Sequence, residues 1–140
     1  MTLIEMLIVL AIIGVAAGAV TLGIGAATRA PTAESEARRL ALRLQSAADD
    51  AMLGDRGILF TAGEHGYGFA VLGGGAAPGE ALASHELPGG MVMTLSVRPP
   101  VLLGVDGSGQ PMTATIDAGS QRWQVDYDGI TARARAVPLA

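Results

Sequence analysis

From Met6 to Thr28 the chain runs through 23 consecutive residues without a formal charge, mostly Leu, Ile, Val, Ala and Gly. As a helix this run reaches roughly 34 Å at about 1.5 Å per residue, enough to cross a hydrocarbon core of about 30 Å. The whole chain has 140 residues, enough for one domain and too few for two full ones, and a domain that small does not bury such a segment. The run therefore needs a membrane, a signal peptidase or other subunits.

Three readings compete. A cleaved secretory signal wants a basic n-region, a short apolar core and a small-residue cleavage site. Ala17-Gly18-Ala19 meets the last requirement, but no Lys or Arg precedes it and an acid, Glu5, does. A plain membrane anchor needs only the apolar length. The third reading makes the helix both an anchor and an assembly element. Glu5 separates them, because an ionisable group at the edge of a spanning segment is costly and is a functional hypothesis by default. The helix dipole offsets about 0.3–1 kcal/mol of that cost near the N-terminus. A free α-amino group would offset more. Within one chain that contact is awkward; between neighbours offset along a filament it is natural.

Met1-Thr2-Leu3-Ile4-Glu5-Met6-Leu7-Ile8-Val9-Leu10-Ala11-Ile12-Ile13-Gly14 resembles the mature N-terminus of type IV pilins and type II secretion pseudopilins. Met1 stands where that family usually has Phe. The resemblance implies that a prepilin peptidase/methyltransferase removes a basic leader after a glycine and methylates the new N-terminus, here Met1. It assigns Glu5 to filament assembly. It also implies an inner-membrane anchor with the remainder in the periplasm. Arg29, Arg38, Arg39 and Arg43 follow the segment, and a count of basic residues alone would place that side in the cytoplasm.

Gly14 and Gly18 lie four apart on one helix face, as ordinary membrane-helix glycines or as points of close helix approach. In the resembling family this stretch can unwind around a proline that this chain lacks, and the glycines could serve instead. Pro31 removes a backbone donor and should interrupt the helix near Ala27 to Ala30. Beyond it, Ala37, Leu40, Leu44, Ala47, Ala48 and Ala51 form an apolar stripe, predicting an amphipathic helix over 33–53 with Gly54 as its C-cap. Glu34 with Arg38 and Glu36 with Arg39 read as surface pairs worth tenths of a kcal/mol.

From Gly57 the pattern changes to short apolar runs broken by Gly, Pro and Asp. Strands are expected over 58–62, 67–72, 91–97, 101–105, 113–117, 122–127 and 130–133, with hairpins at Gly63-Glu64-His65-Gly66 and Asp128-Gly129. The stretch 73–90 reads as the longest loop. The expected fold class is α+β: a long N-terminal transmembrane helix over 1–32, then a soluble head over 33–140. In that head the amphipathic helix packs on an antiparallel, β-sandwich-like sheet spanning 57–135. Arg39-Leu40-Ala41, Ala47-x-x-x-Ala51 and an immediate strand, with Gly66-Tyr67-Gly68-Phe69, Leu87-Pro88-Gly89-Gly90 and Trp123-Gln124-Val125, look closest to H-type minor pseudopilins.

Catalytic chemistry finds no foothold in the sequence. Cys is absent and the two histidines, His65 and His85, stand alone and read as solvated loop residues, so no zinc pattern exists. No nucleophile elbow, Walker loop or dinucleotide fingerprint occurs. Asp106-Gly107-Ser108-Gly109 and Asp126-Tyr127-Asp128-Gly129 lack the spaced oxygen ligands and closing Glu of a calcium loop and read as turns. A net charge of −4, all its cations arginine, gives no bulk affinity for nucleic acid, and Arg133 and Arg135 read as a solvated edge. No enzyme and no cofactor are expected.

The resemblance implies a minor pseudopilin near the tip of a short periplasmic pseudopilus that drives protein export. Its partners would be other minor pseudopilins, the major pseudopilin, the inner-membrane secretion platform and secreted cargo. A minor pilin of a type IV pilus has the same layout. From another class, an anchored periplasmic binding domain that never polymerises stays open.

Overall fold

A computed structural model describes residues 2–27, 31–73, 83–104 and 109–138. The chain divides into two compact units, Met1–Ala30 and Pro31–Ala140. The first is one helix, α1 (Leu3–Ala27), of 25 residues. Thr2 precedes it and accepts the Glu5 N–H at both its carbonyl oxygen (3.1 Å) and Oγ1 (3.3 Å), satisfying a donor that the first turn leaves open. Met1 and Arg29 lie outside the described residues.

The second unit opens with α2 (Ala33–Leu53), which has a cap at each end. Thr32 Oγ1 accepts the Ser35 N–H at 3.1 Å while Ser35 Oγ accepts the Thr32 N–H at 3.0 Å, a reciprocal capping box. Glu34 and Glu36 sit in the first turn, where the dipole favours them, and the Gly54 N–H closes the last turn on Asp50 O at 2.9 Å. Ala37, Leu40, Leu44, Ala47 and Ala51 are completely buried. The small alanines let strands approach closely; the leucines fill the space between them.

Among the described residues eight strands form two antiparallel sheets, as a sandwich-like head requires. They are β1 (Ile58–Gly63), β2 (Gly66–Val71), β3 (His85–Glu86), β4 (Val92–Leu95), β5 (Val101–Leu103), β6 (Met112–Asp117), β7 (Arg122–Tyr127) and β8 (Ala132–Val137). One sheet has the order β3-β2-β1-β5 and the other β4-β6-β7-β8. In the second sheet α2 packs against β6, β7 and β8, and it also touches β1 and β5, so one helix face closes the core of both sheets. Alternation marks the inner faces: Ile58 and Phe60 on β1, Met112, Ala114 and Ile116 on β6, Val125 and Tyr127 on β7 are all buried. The two sheets are laced by Met93 N–H to Glu64 O (2.9 Å), which joins β4 to the β1–β2 turn.

Three sequence expectations change. First, the stretch 73–90 is not loop throughout: His85 and Glu86 pair with Tyr67 and Gly66 as β3, and Leu87 is buried, while 74–82 lie outside the described residues. Second, the last strand runs over 132–137 instead of 130–133. Asp128 is the reason: its Oδ1 accepts the N–H groups of Ile130 (2.8 Å) and Thr131 (2.7 Å) and its Oδ2 accepts the Thr131 hydroxyl, drawing four residues into the turn. Third, the strand expected over 101–105 ends at Leu103, with Gly104 already outside it; 105–108, and with them most of the Asp106-Gly107-Ser108-Gly109 turn, lie outside the described residues.

Two outcomes are expected of the full chain in detergent micelles. Leu44→Ala removes a fully buried side chain between α2 and the sheets and should cost about 2–5 kcal/mol, read by urea denaturation. The second concerns acid. Backbone N–H groups of Thr131 and Ile130, then the Thr131 hydroxyl, hold the Asp128 carboxyl below its usual 3.8. The Gly119 N–H and then Arg122 do the same for Asp117. Depressed carboxyls contribute stability that is present above about pH 4 and lost as pH falls through their folded values. The unfolding midpoint should drop below about pH 4, and Asp128→Asn should flatten part of that drop; an unchanged acid limb in the variant would count against the turn's role.

Candidate functional site

Two places in the molecule depart from what a small soluble domain needs. The first is α1. From Leu3 to Val20 none of the helix is buried, and its large side chains are exposed all round: Leu3 by 84%, Ile4 by 69%, Leu10 by 63% and Val15 by 75%. An amphipathic surface helix would confine its apolar residues to one stripe. Here Ile, Leu and Val occupy every side, so no single face of the helix is set aside for water.

Glu5 is the only acid on α1 and lies in its first turn. Its N–H is taken by Thr2, and among the described residues its carboxylate has no partner. The positive end of the helix dipole favours the charge there without cancelling it. Gly14 and Gly18 stand four residues apart, and a Cβ built on either would meet nothing within 4 Å, so that face is open to close approach. Met1, the expected processing and methylation residue, lies outside the described residues.

The second place is a polar cluster that sequence reasoning missed. Glu36 is 2% exposed, the one buried charged residue among those described, and it faces into the head instead of standing on its surface. His85 Nε2 lies 2.6 Å from Glu36 Oε2, and Arg39 Nη1 lies 3.6 Å from Glu36 Oε1. Facing a carboxylate at 2.6 Å, Nε2 is assigned as the donor, which makes Arg39 Nη1, 3.4 Å from the same nitrogen, a second donor that forms no hydrogen bond to it. Arg43 Nη1 donates to Ala83 O at 2.8 Å and its guanidinium stands 5.9 Å from the centre of the Tyr67 ring. Together these contacts tie residues 83–86, and with them β3, onto α2. His85 is thus part-buried and bonded, not a solvated loop residue, whereas His65 is exposed in the β1–β2 turn. The available signal was spacing: Glu36 stands four residues before Leu40 and so falls on the buried stripe.

Tyr67 completes the cluster. Its ring packs against Phe60, Phe69 and His85, and its hydroxyl is buried without a hydrogen-bond partner. Burial pushes its pKa up to about 12, with Arg43 opposing. Across the core, burial also pushes Tyr127 up to about 12, although its hydroxyl donates to Gly129 O at 2.9 Å. Both tyrosines border open grooves, Tyr127 beside Ser96 and Thr113, and Tyr67 beside Ser84 and His85. The two carboxylates of Asp126-Tyr127-Asp128-Gly129 are engaged as well, Asp126 by Arg135 and Thr113, Asp128 by its own turn. Among the described residues no group of three His, Cys, Asp or Glu side chains converges as a metal site.

At the level of sequence, no family model and no curated protein matches the chain. Its fold does match solved structures. The minor pseudopilin EpsH from the type 2 secretion system of Vibrio cholerae superposes with a TM-score of 0.66 at 16% identity, covering 76% of this chain and 98% of that one. A second EpsH structure gives 0.63 at 15% identity, over 77% and 96%. The type IV minor pilin FimU from Pseudomonas aeruginosa gives 0.57 at 18% identity, over 76% and 88%. The fold of this chain is therefore the pilin-like α+β fold of those subunits.

The Glu36 cluster makes a stability prediction. Removing the histidine alone, His85→Ala, leaves a buried carboxylate with only the longer Arg39 contact and should cost about 3–5 kcal/mol. Replacing both partners, Glu36→Leu with His85→Leu, should cost less than that single change, since no charge is then stranded. Trp123, the single tryptophan, reports unfolding in each. A double variant less stable than His85→Ala would show that the pair itself stabilises the head.

Proposed function

We propose that this protein is a minor pilin-like subunit that joins a filament assembled from the inner membrane, with α1 as both anchor and filament core and the head in the periplasm. The observation that carries the reading is α1 itself: an apolar helix exposed on every side over Leu3–Val20, with one carboxylate in its first turn that has no partner among the described residues. The pilin-like fold of the head supports it. A membrane alone would cover the leucines, but it would leave Glu5 without a counter-charge. In a bundle of offset copies or relatives, the α-amino group of a neighbour's N-terminus supplies that charge in a low-dielectric setting. Gly14 and Gly18 then let helices approach closely enough to exclude lipid.

Of the two machineries, a type II secretion pseudopilus is the reading adopted, with the H-type minor position favoured by the motif pattern and by the higher superposition scores of EpsH over FimU. In that setting the prepilin peptidase/methyltransferase would act at Met1. Other minor pseudopilins, the major pseudopilin, the inner-membrane platform and secreted cargo would be the partners. The role is mechanical and recognition-based, with no reaction catalysed and no cofactor required. A type IV pilus minor pilin is the second reading, favoured by the FimU likeness.

The test is Glu5. Glu5→Leu makes α1 more apolar, so membrane insertion and abundance should hold or rise. Incorporation should fall, because a buried pair broken on one side typically costs about 3–5 kcal/mol, a hundredfold or more in equilibrium terms. In vivo cross-linking of wild type, Glu5→Leu and Glu5→Asp to pilin-like partners reads the difference. Equal membrane levels with equal cross-linking in all three would reduce α1 to a passive anchor and favour the membrane-anchored binding domain.

A further inference from the structure

β8 is the last strand of its sheet, and among the described residues no strand lies beyond it. Two hydrogen bonds fix which way its backbone faces. The Asp128 N–H donates to Thr131 O across the hairpin (3.2 Å), while the Ala132 N–H donates outward to Gln45 Oε1 on α2 (3.1 Å). In an antiparallel pair the direction alternates by residue, so 133, 135 and 137 bond to β7 and Ala132, Ala134 and Ala136 direct their N–H and C=O groups to the outer edge. Gln45 closes the first outward donor. Among the described residues the donors of Ala134 and Ala136 have no such cover.

Natural sheets protect long edges with bulges, proline or charged side chains, and of these β8 has only the charges of Arg133 and Arg135. β8 runs six residues in unbroken register with β7, and its proline, Pro138, comes only after the strand. Its two faces differ in chemistry. On the outer face stand Arg133 and Arg135. Arg135 pairs with Asp126 at 2.7 Å, and Asp126 is further engaged by the Thr113 hydroxyl. Arg133, directly opposite Asp126 in register, is exposed and has no ion-pair partner among the described residues. On the inner face are alanines, and beside them runs one side of α2 marked by Arg38, Leu42, Gln45 and Asp49 at helical spacing. Gln45 reaches the strand, and Arg38 stands 5.9 Å from the ring of Trp123, the register partner of Ala136. Leu42 lies between them on that side, 70% exposed.

A second copy is a poor occupant. Antiparallel self-pairing centred on Ala134 would set Arg133 opposite Arg135 twice, and like charges directly opposite are destabilising. We propose that the outer edge of β8 takes up an extended strand from a different protein, with acidic residues at two alternate positions opposite Arg133 and Arg135 and an apolar residue between them directed toward Leu42. Backbone bonds from Ala134 and Ala136 would supply affinity, and the acid–apolar–acid pattern would supply selection. This inference rests on the head alone and is independent of whether α1 enters a filament.

The experiment follows amide hydrogen exchange at Ala134 and Ala136 in the full chain in detergent micelles. The probe is a capped peptide, Thr-Val-Glu-Val-Glu-Val-Thr, with Thr-Val-Lys-Val-Lys-Val-Thr as its charge-reversed control. The acidic peptide should slow exchange at both amides by about tenfold or more at saturation, and the basic one should not. Arg133→Glu, at an exposed and unpaired position, should weaken the acidic peptide and leave folding intact. Ala134→Pro deletes one outward donor without touching the β7 ladder and should abolish the slowing at Ala136. If that variant fails to fold by its Trp123 signal, Arg133→Glu decides. Any of four results overturns the proposal: equal slowing by both peptides, no slowing, an unchanged response in Arg133→Glu, or protection of Ala134 and Ala136 without peptide. Protection that grows with chain concentration would assign the edge to a second copy instead.

Discussion

Everything in this molecule is conditioned by a helix that its own chain does not cover. Burying an Ile, Leu or Val side chain is worth about 1.5–3 kcal/mol, and α1 presents such residues along its length with none of Leu3–Val20 buried. The head is a separate unit with its own core, closed by α2, whose leucines and alanines are used on the two sheets. The chain is thus a division of labour in which one unit folds around itself and the other waits for lipid or for similar helices.

Glu5 and Glu36 are the same chemical group under two regimes. Glu36 is buried within the chain and brings its partners with it: His85 at 2.6 Å and Arg39 at 3.6 Å, both held by elements of the head. Glu5 sits at the end of an apolar helix, and no described residue neutralises it. A buried charge is retained where it is paired, and an unpaired one marks a contact still to be made. The first carboxylate fixes β3 against α2; the second, in the proposed assembly, would find its counter-charge on another molecule.

Much of the fold was legible from spacing. The stripe of Ala37, Leu40, Leu44, Ala47 and Ala51 gave α2 and its buried face, and the switch to short runs after Gly57 gave antiparallel strands. The apolar run with Glu5 gave the candidate site, since length and one charge are both local properties. What was not legible depended on partners far along the chain. Glu36 and Arg39 looked like a surface pair because three-residue spacing on a helix says nothing about a histidine 49 positions away. The final strand was misplaced because Asp128 captures two further residues for its turn, an arrangement set by side-chain bonds and not by hydropathy. Which strands share a sheet is decided by strand order, which no periodicity encodes.

An apolar helix is a strong but indiscriminate adhesive. Its leucines and isoleucines would pack on any similar helix, so in the proposed assembly α1 confers association without identity. Discrimination between partners has to come from groups that are costly when mismatched, and in this chain those lie on the head. The outer face of the β4-β6-β7-β8 sheet is built for it. Thr94, Thr115, Gln124 and Arg135 form one cross-strand row and Thr113, Asp126 and Arg133 the next. Most of its charges are already internally matched, Asp117 with Arg122 and Asp126 with Arg135. A matched pair draws a further acid less strongly than an unmatched guanidinium does. The residue left over is Arg133, at the open edge, and an unmatched guanidinium beside free backbone donors is where this head would tell one neighbour from another.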